Sequence, residues 1–144
     1  MSARAVLVAV LVVALGGCVA PAWGERDYEL KAAATAEAAA STVDLARLAV
    51  EAEDRLTGPY LKTLLTRVVD DLGTVNDQFG AVQPPSGEAD RLRTEVTDLT
   101  SEAEVKAQDL LIQVKRDGIG DPASAGRELG EIAERLRRVE ETYQ

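Results

Sequence analysis

Apolar residues recur along this 144-residue chain at alternating intervals of four and three, a spacing that packed helices satisfy. The pattern is clearest between positions 59 and 82. Its members are Leu61, Leu65, Val68, Leu72, Val75, Phe79 and Val82. Leu64 and Val69 flank this row and make the apolar face broad enough for the interior of a bundle. The segment therefore predicts an amphipathic helix that packs against other helices.

Three other segments show the same or nearly the same spacing. In the first, about residues 25–56, the apolar row is Ala32, Ala36, Ala39, Val43, Ala46 and Val50. In the third, about residues 87–117, it is Leu92, Val96, Leu99, Ala103, Ala107, Leu110 and Val114. In the fourth, about residues 122–143, it is Ala125, Leu129, Ile132, Leu136, Val139 and Tyr143. We expect Leu45, Leu48 and Leu56 to widen the core face of the first helix.

Turn-forming residues separate the four segments. Gly58 suits a left-handed helix end and Pro59 the first position of the next helix, while Ser86 and Asp121 are expected to cap the third and fourth helices. Such short connections force antiparallel neighbours. The sequence predicts an all-α fold, an antiparallel up-down-up-down four-helix bundle over residues 25–144, with helices at about 25–56, 59–82, 87–117 and 122–143.

Two further features bear on packing. Tyr28, Phe79 and Tyr143 fall at the same end of the predicted bundle, where large rings would fill the space that the alanines of the first helix leave. Gly126 and Gly130 have the spacing that lets membrane helices approach closely, but charged residues lie between them. We interpret these two glycines as tolerated in the fourth helix, without a packing role.

The first 18 residues follow a signal-peptide plan. Arg4 precedes an apolar run from Ala5 to Leu15 that is too short to span a bilayer. The run ends in Leu15, Gly16, Gly17 and Cys18, the only cysteine of the chain. This sequence of an aliphatic residue, two small residues and a cysteine resembles the lipobox of bacterial lipoproteins.

The resemblance implies that residues 1–17 are removed and that Cys18 carries diacylglycerol on its sulfur, with its new amino group open to acylation. Residues 18–24 would be a lipidated tether on the extracytoplasmic face of the cell membrane. Trp23, within the tether, is a candidate membrane contact or else folds onto the domain. Ala20-Pro21-Ala22 also fits an ordinary cleavage site, and cleavage after Ala22 would release a secreted protein.

A second resemblance is confined to the start of the third helix. The residues that carry it are Pro84, Pro85, Glu88, Ala89, Asp90, Arg91, Leu92 and Arg93. This run is similar to uncharacterised small helical secreted proteins of actinobacteria. It implies no activity.

The composition limits the kinds of functional site that this chain can form. The net charge is −9, and removal of residues 1–17 takes away one basic residue, Arg4, and leaves −10, which argues against a nucleic-acid partner. The chain has no histidine, so it lacks the commonest general base and transition-metal ligand. Its carboxylate clusters, such as Asp70-Asp71 and Glu102-Glu104, have no calcium-loop pattern around them. We expect no enzyme activity, no metal and no cofactor.

Two functions remain open at this point. The first is a non-catalytic, lipid-anchored interaction or structural module with an unknown protein partner in the envelope. The second is a small-ligand sensing or carrier module, in which the alanines of the first helix leave a cavity between helices. We favour the first, because a ligand pocket needs convergent polar groups and the predicted interior offers none.

Overall fold

Residues 24–144 of the chain are described by the computed structural model, and they form four antiparallel helices packed into one bundle. The helices are α1 (Glu25–Glu51), α2 (Gly58–Gly80), α3 (Gly87–Arg116) and α4 (Pro122–Tyr143). A short 3₁₀ helix, Glu53–Arg55, lies between α1 and α2, and the described residues include no strand. The predicted all-α fold and its up-down-up-down four-helix bundle are confirmed.

The predicted caps of the last two helices are also confirmed. The Ser86 hydroxyl accepts a hydrogen bond from the Ala89 N–H at 3.1 Å, and the Asp121 carboxylate accepts one from the Ser124 N–H at 2.9 Å. Each bond satisfies one of the amide groups that the first turn of a helix leaves without a partner. Between these helices Gly118 has a φ of 97°, a conformation that residues with a Cβ rarely adopt. These local signals fix where α3 ends and α4 begins.

The connection between α1 and α2 differs from the prediction. The first helix ends at Glu51, not near Leu56, and Gly58 is the first residue of α2 instead of a left-handed helix end. A long-range contact accompanies the early end: the Glu53 carboxylate accepts a hydrogen bond from the Ile119 N–H at 2.8 Å. This bond joins the α1–α2 and α3–α4 connections at one end of the bundle. Sequence spacing alone could not indicate it.

The four helices are not equally close. Contact is most extensive between α1 and α4 and next between α2 and α3, and α1 also touches α3 across the bundle, whereas α2 and α4 hardly meet. Among neighbours in the bundle, α3 and α4 share the least contact. The cross-section is therefore a diamond in which α1 contacts all three other helices.

Small residues allow the close approach of α1 and α4. A Cβ atom on Gly126 would lie 3.2 Å from Cγ of Glu51, and one on Gly130 would lie 3.4 Å from Cδ of Arg47. The interpretation that these glycines have no packing role is therefore wrong for Gly126, whereas at Gly130 an added Cβ would make only an ordinary van der Waals contact. At Gly126 the missing Cβ leaves room for the stem of Glu51, which would have to shift by a few tenths of an ångström beside a larger residue.

Because α1 has three neighbours, its buried surface is wider than its apolar row predicts. Ala33 and Ala40, outside that row, are 3% and 2% exposed. Ala40 lies seven residues before Arg47, on the side of the helix that faces α4. Short side chains on this side accompany the most extensive contact between helices in the bundle, and Ala40 belongs to the continuous core.

The prediction that Leu45 and Leu48 widen the core face is wrong. Leu45 is 46% exposed and Leu48 is 55% exposed, and only Leu56 packs partly against the core. The reason lies in helix geometry: both leucines follow a core residue by two positions, and two positions turn a helix by about 200°. They therefore lie on the outer surface of α1.

The expected aromatic contact is present at the end of the bundle where both termini lie. The rings of Tyr28 and Phe79 are fully buried, with centroids 5.5 Å apart and planes inclined at 40°. Tyr143 packs half-buried at the edge of the same core, and Arg26 donates a hydrogen bond to its carbonyl oxygen at 3.3 Å. Large rings on three helices thus close this end.

The hydroxyl of Tyr28 is buried in this cluster without a hydrogen-bond partner among the described residues. Burial raises the pKa of Tyr28 above its ordinary value of 10.0, and the nearby charges of Arg93 and Asp90 act in opposite directions on it. An unpartnered buried hydroxyl lowers stability, whereas the ring itself contributes apolar contact.

Replacement of Tyr28 by phenylalanine removes the hydroxyl and keeps the ring. We expect Tyr28→Phe to raise the free energy of unfolding by about 1 kcal/mol at neutral pH, measured by urea denaturation.

The same substitution should change the pH dependence of stability. Because the folded-state pKa of Tyr28 is raised, the wild type loses stability as pH rises above 10.0 through that pKa, and the Tyr28→Phe variant does not show this loss. Tyr60→Phe, at an exposed tyrosine, is the control. Equal stability of the wild type and Tyr28→Phe, both at neutral pH and above pH 10.0, would contradict the burial of an unpartnered hydroxyl at Tyr28.

A larger side chain at Ala40 should force α1 and α4 apart. We expect Ala40→Leu to lower the free energy of unfolding by about 1–3 kcal/mol, the usual cost of overpacking a dense core. Ala123→Leu, at an exposed position of α4, should change it little. Urea denaturation of the two variants beside the wild type measures the difference, and an unchanged Ala40→Leu would mean that the helices are not in close contact.

Candidate functional site

The residues that the sequence selects as functional lie outside the described part of the chain. They are Leu15, Gly16, Gly17 and Cys18 of the lipobox-like sequence and Trp23 of the proposed tether. The described structure begins at Gly24, and α1 starts at the next residue. Whatever the first 23 residues carry is therefore joined to the bundle at the end closed by Tyr28, Phe79 and Tyr143.

Five arginines lie in the halves of α3 and α4 that are nearer this end, and three of them are engaged with carboxylates. Arg135 contacts Glu102 at 2.7 Å, Arg93 contacts Asp90 at 2.5 Å, and Arg137 forms an ion pair with Asp44. These pairs offset positive charge that would otherwise attract anionic lipid, although each exposed pair contributes little stability. In the described structure no ion pair involves Arg91 or Arg138, the other two arginines of this region.

The acidic clusters do not converge on a common point. In residues 24–144 no group of three metal-ligating side chains is close enough to hold an ion. Arg67 donates from Nε to both oxygens of Asp71 at 2.9 Å, and this hydrogen bond raises the pKa of Arg67. Glu51 pairs with Arg47 at 3.1 Å. These carboxylates lie on solvated helix faces, where charged residues are expected.

Two shallow grooves follow the loose α3–α4 contact. One of about 560 Å³ lies nearer the chain termini, with Leu99 and Val139 at its floor, and a second of about 260 Å³ continues it past Arg135. An ion pair between Lys106 and Glu128 crosses the second groove, and the hydrogen bond from Lys106 holds the pKa of Glu128 below its usual value. Both grooves are lined by acidic and basic side chains, so neither presents a single charge to a ligand.

The outer surface of α1 carries a second row of uncharged residues. We call this row the outer seam; its members are Ala34, Ala38, Ser41, Leu45 and Leu48. All five are exposed, and their spacing of 4, 3, 4 and 3 copies the core row with an offset of two residues. An ordinary surface helix is polar on this side. Sequence reasoning missed the outer seam because its leucines were assigned to the core, yet the repeated spacing was visible in the sequence.

Comparison with known proteins adds no relationship to these observations. No protein-family model, curated protein or solved structure matches the chain. Of the helices that the structure describes, none is long and apolar enough to cross a membrane.

Proposed function

We propose that this chain is a non-catalytic bacterial lipoprotein, held on the extracytoplasmic face of the cell membrane by lipid on Cys18, that acts as an interaction or structural module of the envelope. The observation that carries the proposal is Cys18 itself, which directly follows an apolar run and two glycines. A thiolate is the nucleophile that thioether formation requires. Two acyl chains anchor a protein firmly, whereas one chain is marginal.

The join between the tether and the bundle fits this proposal. Residues 18–24 form a tether of seven residues, which spans at most about 25 Å when extended. α1 begins directly after it, so an anchored bundle would stand with its aromatic end at the bilayer. Under this arrangement the Pro84-Pro85 turn and the C-terminus face the lipid, and the Glu53–Ile119 contact lies at the far end.

The surface charges favour an interaction role over a catalytic one. A general acid or base needs an ionisable group that is free to exchange a proton with a bound substrate. In the smaller of the two grooves Lys106 is paired with Glu128 and Arg135 with Glu102, so four of its charged groups are engaged with each other. The outer seam, in contrast, is a strip of exposed side chains that carry no charge. Such strips are typical of contacts with other macromolecules.

The alternative, a ligand carrier with a cavity beside the alanines of α1, has less support. Ala32, Ala36 and Ala39 are fully buried within the continuous core, and the contact between α1 and α4 is the most extensive in the bundle. The volume that small side chains release is taken up by this approach. The described grooves lie at the bundle surface and have the open shape of clefts between side chains.

Intact mass spectrometry of the protein extracted from bacterial membranes tests the anchor. We expect the wild type to have the mass of residues 18–144 with two or three acyl chains, and a Cys18→Ser variant to lack that species. Ala20→Asp, which disrupts the competing small-residue cleavage pattern, is the matched control and should keep the acylated mass. A species that begins near Trp23 without lipid would contradict the proposal and indicate a secreted protein.

A further inference from the structure

We propose that the connection between α3 and α4 carries a hinged lid over one end of the core, fastened by the Glu53 carboxylate and able to open while the four helices stay folded. The lid is the segment of residues 118–120, which follows the end of α3 and precedes α4. It lies at the end of the bundle opposite both termini, beside the α1–α2 connection. The inference goes beyond the proposed function and does not depend on the lipid anchor.

The first observation is that the lid places an apolar side chain in the core. Ile119 is 8% exposed and belongs to the continuous core. Every other buried member of that core in residues 24–144 lies within one of the four helices. A helix cannot leave the core without taking several packed side chains with it, whereas the lid would release only one. Opening of the lid should therefore cost less than unfolding of any helix.

The second observation is that a glycine lies on each side of Ile119. Gly118 has a φ of 97°, and a Cβ built on it would lie 3.2 Å from the Glu53 carboxylate. A Cβ on Gly120 would meet no atom within 4 Å. Glycine changes its backbone conformation more freely than any other residue, and hinges are short segments that absorb such changes. Ile119 can therefore leave the core and return by rotation at its two neighbours.

The ends of the lid are fixed. The Gly118 N–H donates a hydrogen bond to the Gln113 carbonyl oxygen at 3.1 Å, so the end of α3 is capped where the lid begins. On the other side, Asp121 caps α4 and Pro122 supplies the fixed φ of its first position. Movement of the lid is therefore confined to three residues, and the helices on both sides keep their places.

The third observation is the way in which the lid is fastened. Within the connection, the Gly120 N–H donates to the side-chain oxygen of Gln113 at 3.2 Å. In the described structure only one hydrogen bond to the lid comes from outside α3: the Ile119 N–H donates to the Glu53 carboxylate at 2.8 Å. Glu53 lies in the 3₁₀ helix between α1 and α2, and a bond to a charged acceptor is stronger than one between neutral groups. The Glu53 carboxylate is therefore the latch of the lid.

An open lid would expose Ile119 and the part of the core that it covers. Exposed apolar surface is typical of contacts with other macromolecules. The latch would keep this surface covered until the bond to Glu53 is released. The lid is thus a conformational device that controls access to the apolar interior at one end of the bundle.

Hydrogen exchange of the complete protein purified from expressing bacteria, resolved to single amides by NMR, tests the lid. A bonded amide exchanges only while its bond is open, and the effect of urea on the rate reports how much surface the opening exposes. We expect the protection factor of the Ile119 amide to be at least about tenfold below those of Leu65 and Leu129, which are fully buried in α2 and α4, and to respond weakly to urea. An Ile119 amide with the protection and urea dependence of Leu65 would overturn the lid.

Substitution of the latch tests the fastening. We expect Glu53→Ala to speed exchange of the Ile119 amide about tenfold, as the loss of a hydrogen bond to a charged group predicts. Asp54→Ala removes the neighbouring carboxylate, whose side chain is 83% exposed, and is the matched control that should leave the rate unchanged. Equal rates in the wild type and Glu53→Ala would mean that the carboxylate does not hold the lid, and would contradict the proposal.

A substitution far from the lid separates lid opening from unfolding. Val96 is 1% exposed and lies 20 residues before the end of α3, roughly 30 Å along the helix. Val96→Ala leaves a cavity that destabilises the bundle equally with the lid open or closed. We expect it to speed exchange at Leu65 and Leu129 and to leave the rate at Ile119 unchanged. Equal acceleration of all three amides would mean that only global unfolding releases Ile119, and the lid would be wrong.

Discussion

The close approach of α1 and α4 determines the rest of this bundle. It accompanies a row of buried alanines on α1 and Gly126 on α4, where an added Cβ would crowd the stem of Glu51. Short side chains permit a short interhelical distance, and the gain in contact along the whole helix compensates for the small size of each side chain. Because α1 contacts α4, α2 and also α3 across the bundle, it has more contact with its neighbours than any other helix of the bundle.

The unequal contacts between the helices affect both the core and the surface of the bundle. Inside, alanines are packed without a large cavity between the helices, which weakens the argument for a ligand carrier. At the bundle surface α3 and α4 share the least contact of any neighbouring pair and leave two open grooves, each lined by both acidic and basic residues. The outer surface of α1 carries the uncharged outer seam. The interaction module that we propose would use this exposed surface.

Local signals in the sequence were sufficient for most of the fold. The caps at Ser86 and Asp121 and the helix periodicity each depend on neighbouring residues, so they were readable in order along the chain. The predictions were wrong where contacts between residues far apart in the sequence determine the structure. The early end of α1 accompanies a bond from Ile119 to Glu53, and the packing role of Gly126 depends on a side chain 75 positions away. The direction of Leu45 was misread because leucine was assumed to be buried.

The sequence by itself determined the number, order and approximate limits of the helices, since heptad spacing and turn residues act over a few positions. It also supplied the candidate anchor at Cys18, which rests on covalent chemistry and not on folding. Only the tertiary structure decided which helices lie close together and which apolar row of α1 is buried. Two rows of equal spacing lie along α1. The buried row is the one whose alanines and valines face the three neighbouring helices. The other row was left on the surface because a bundle of four helices encloses only one side of each.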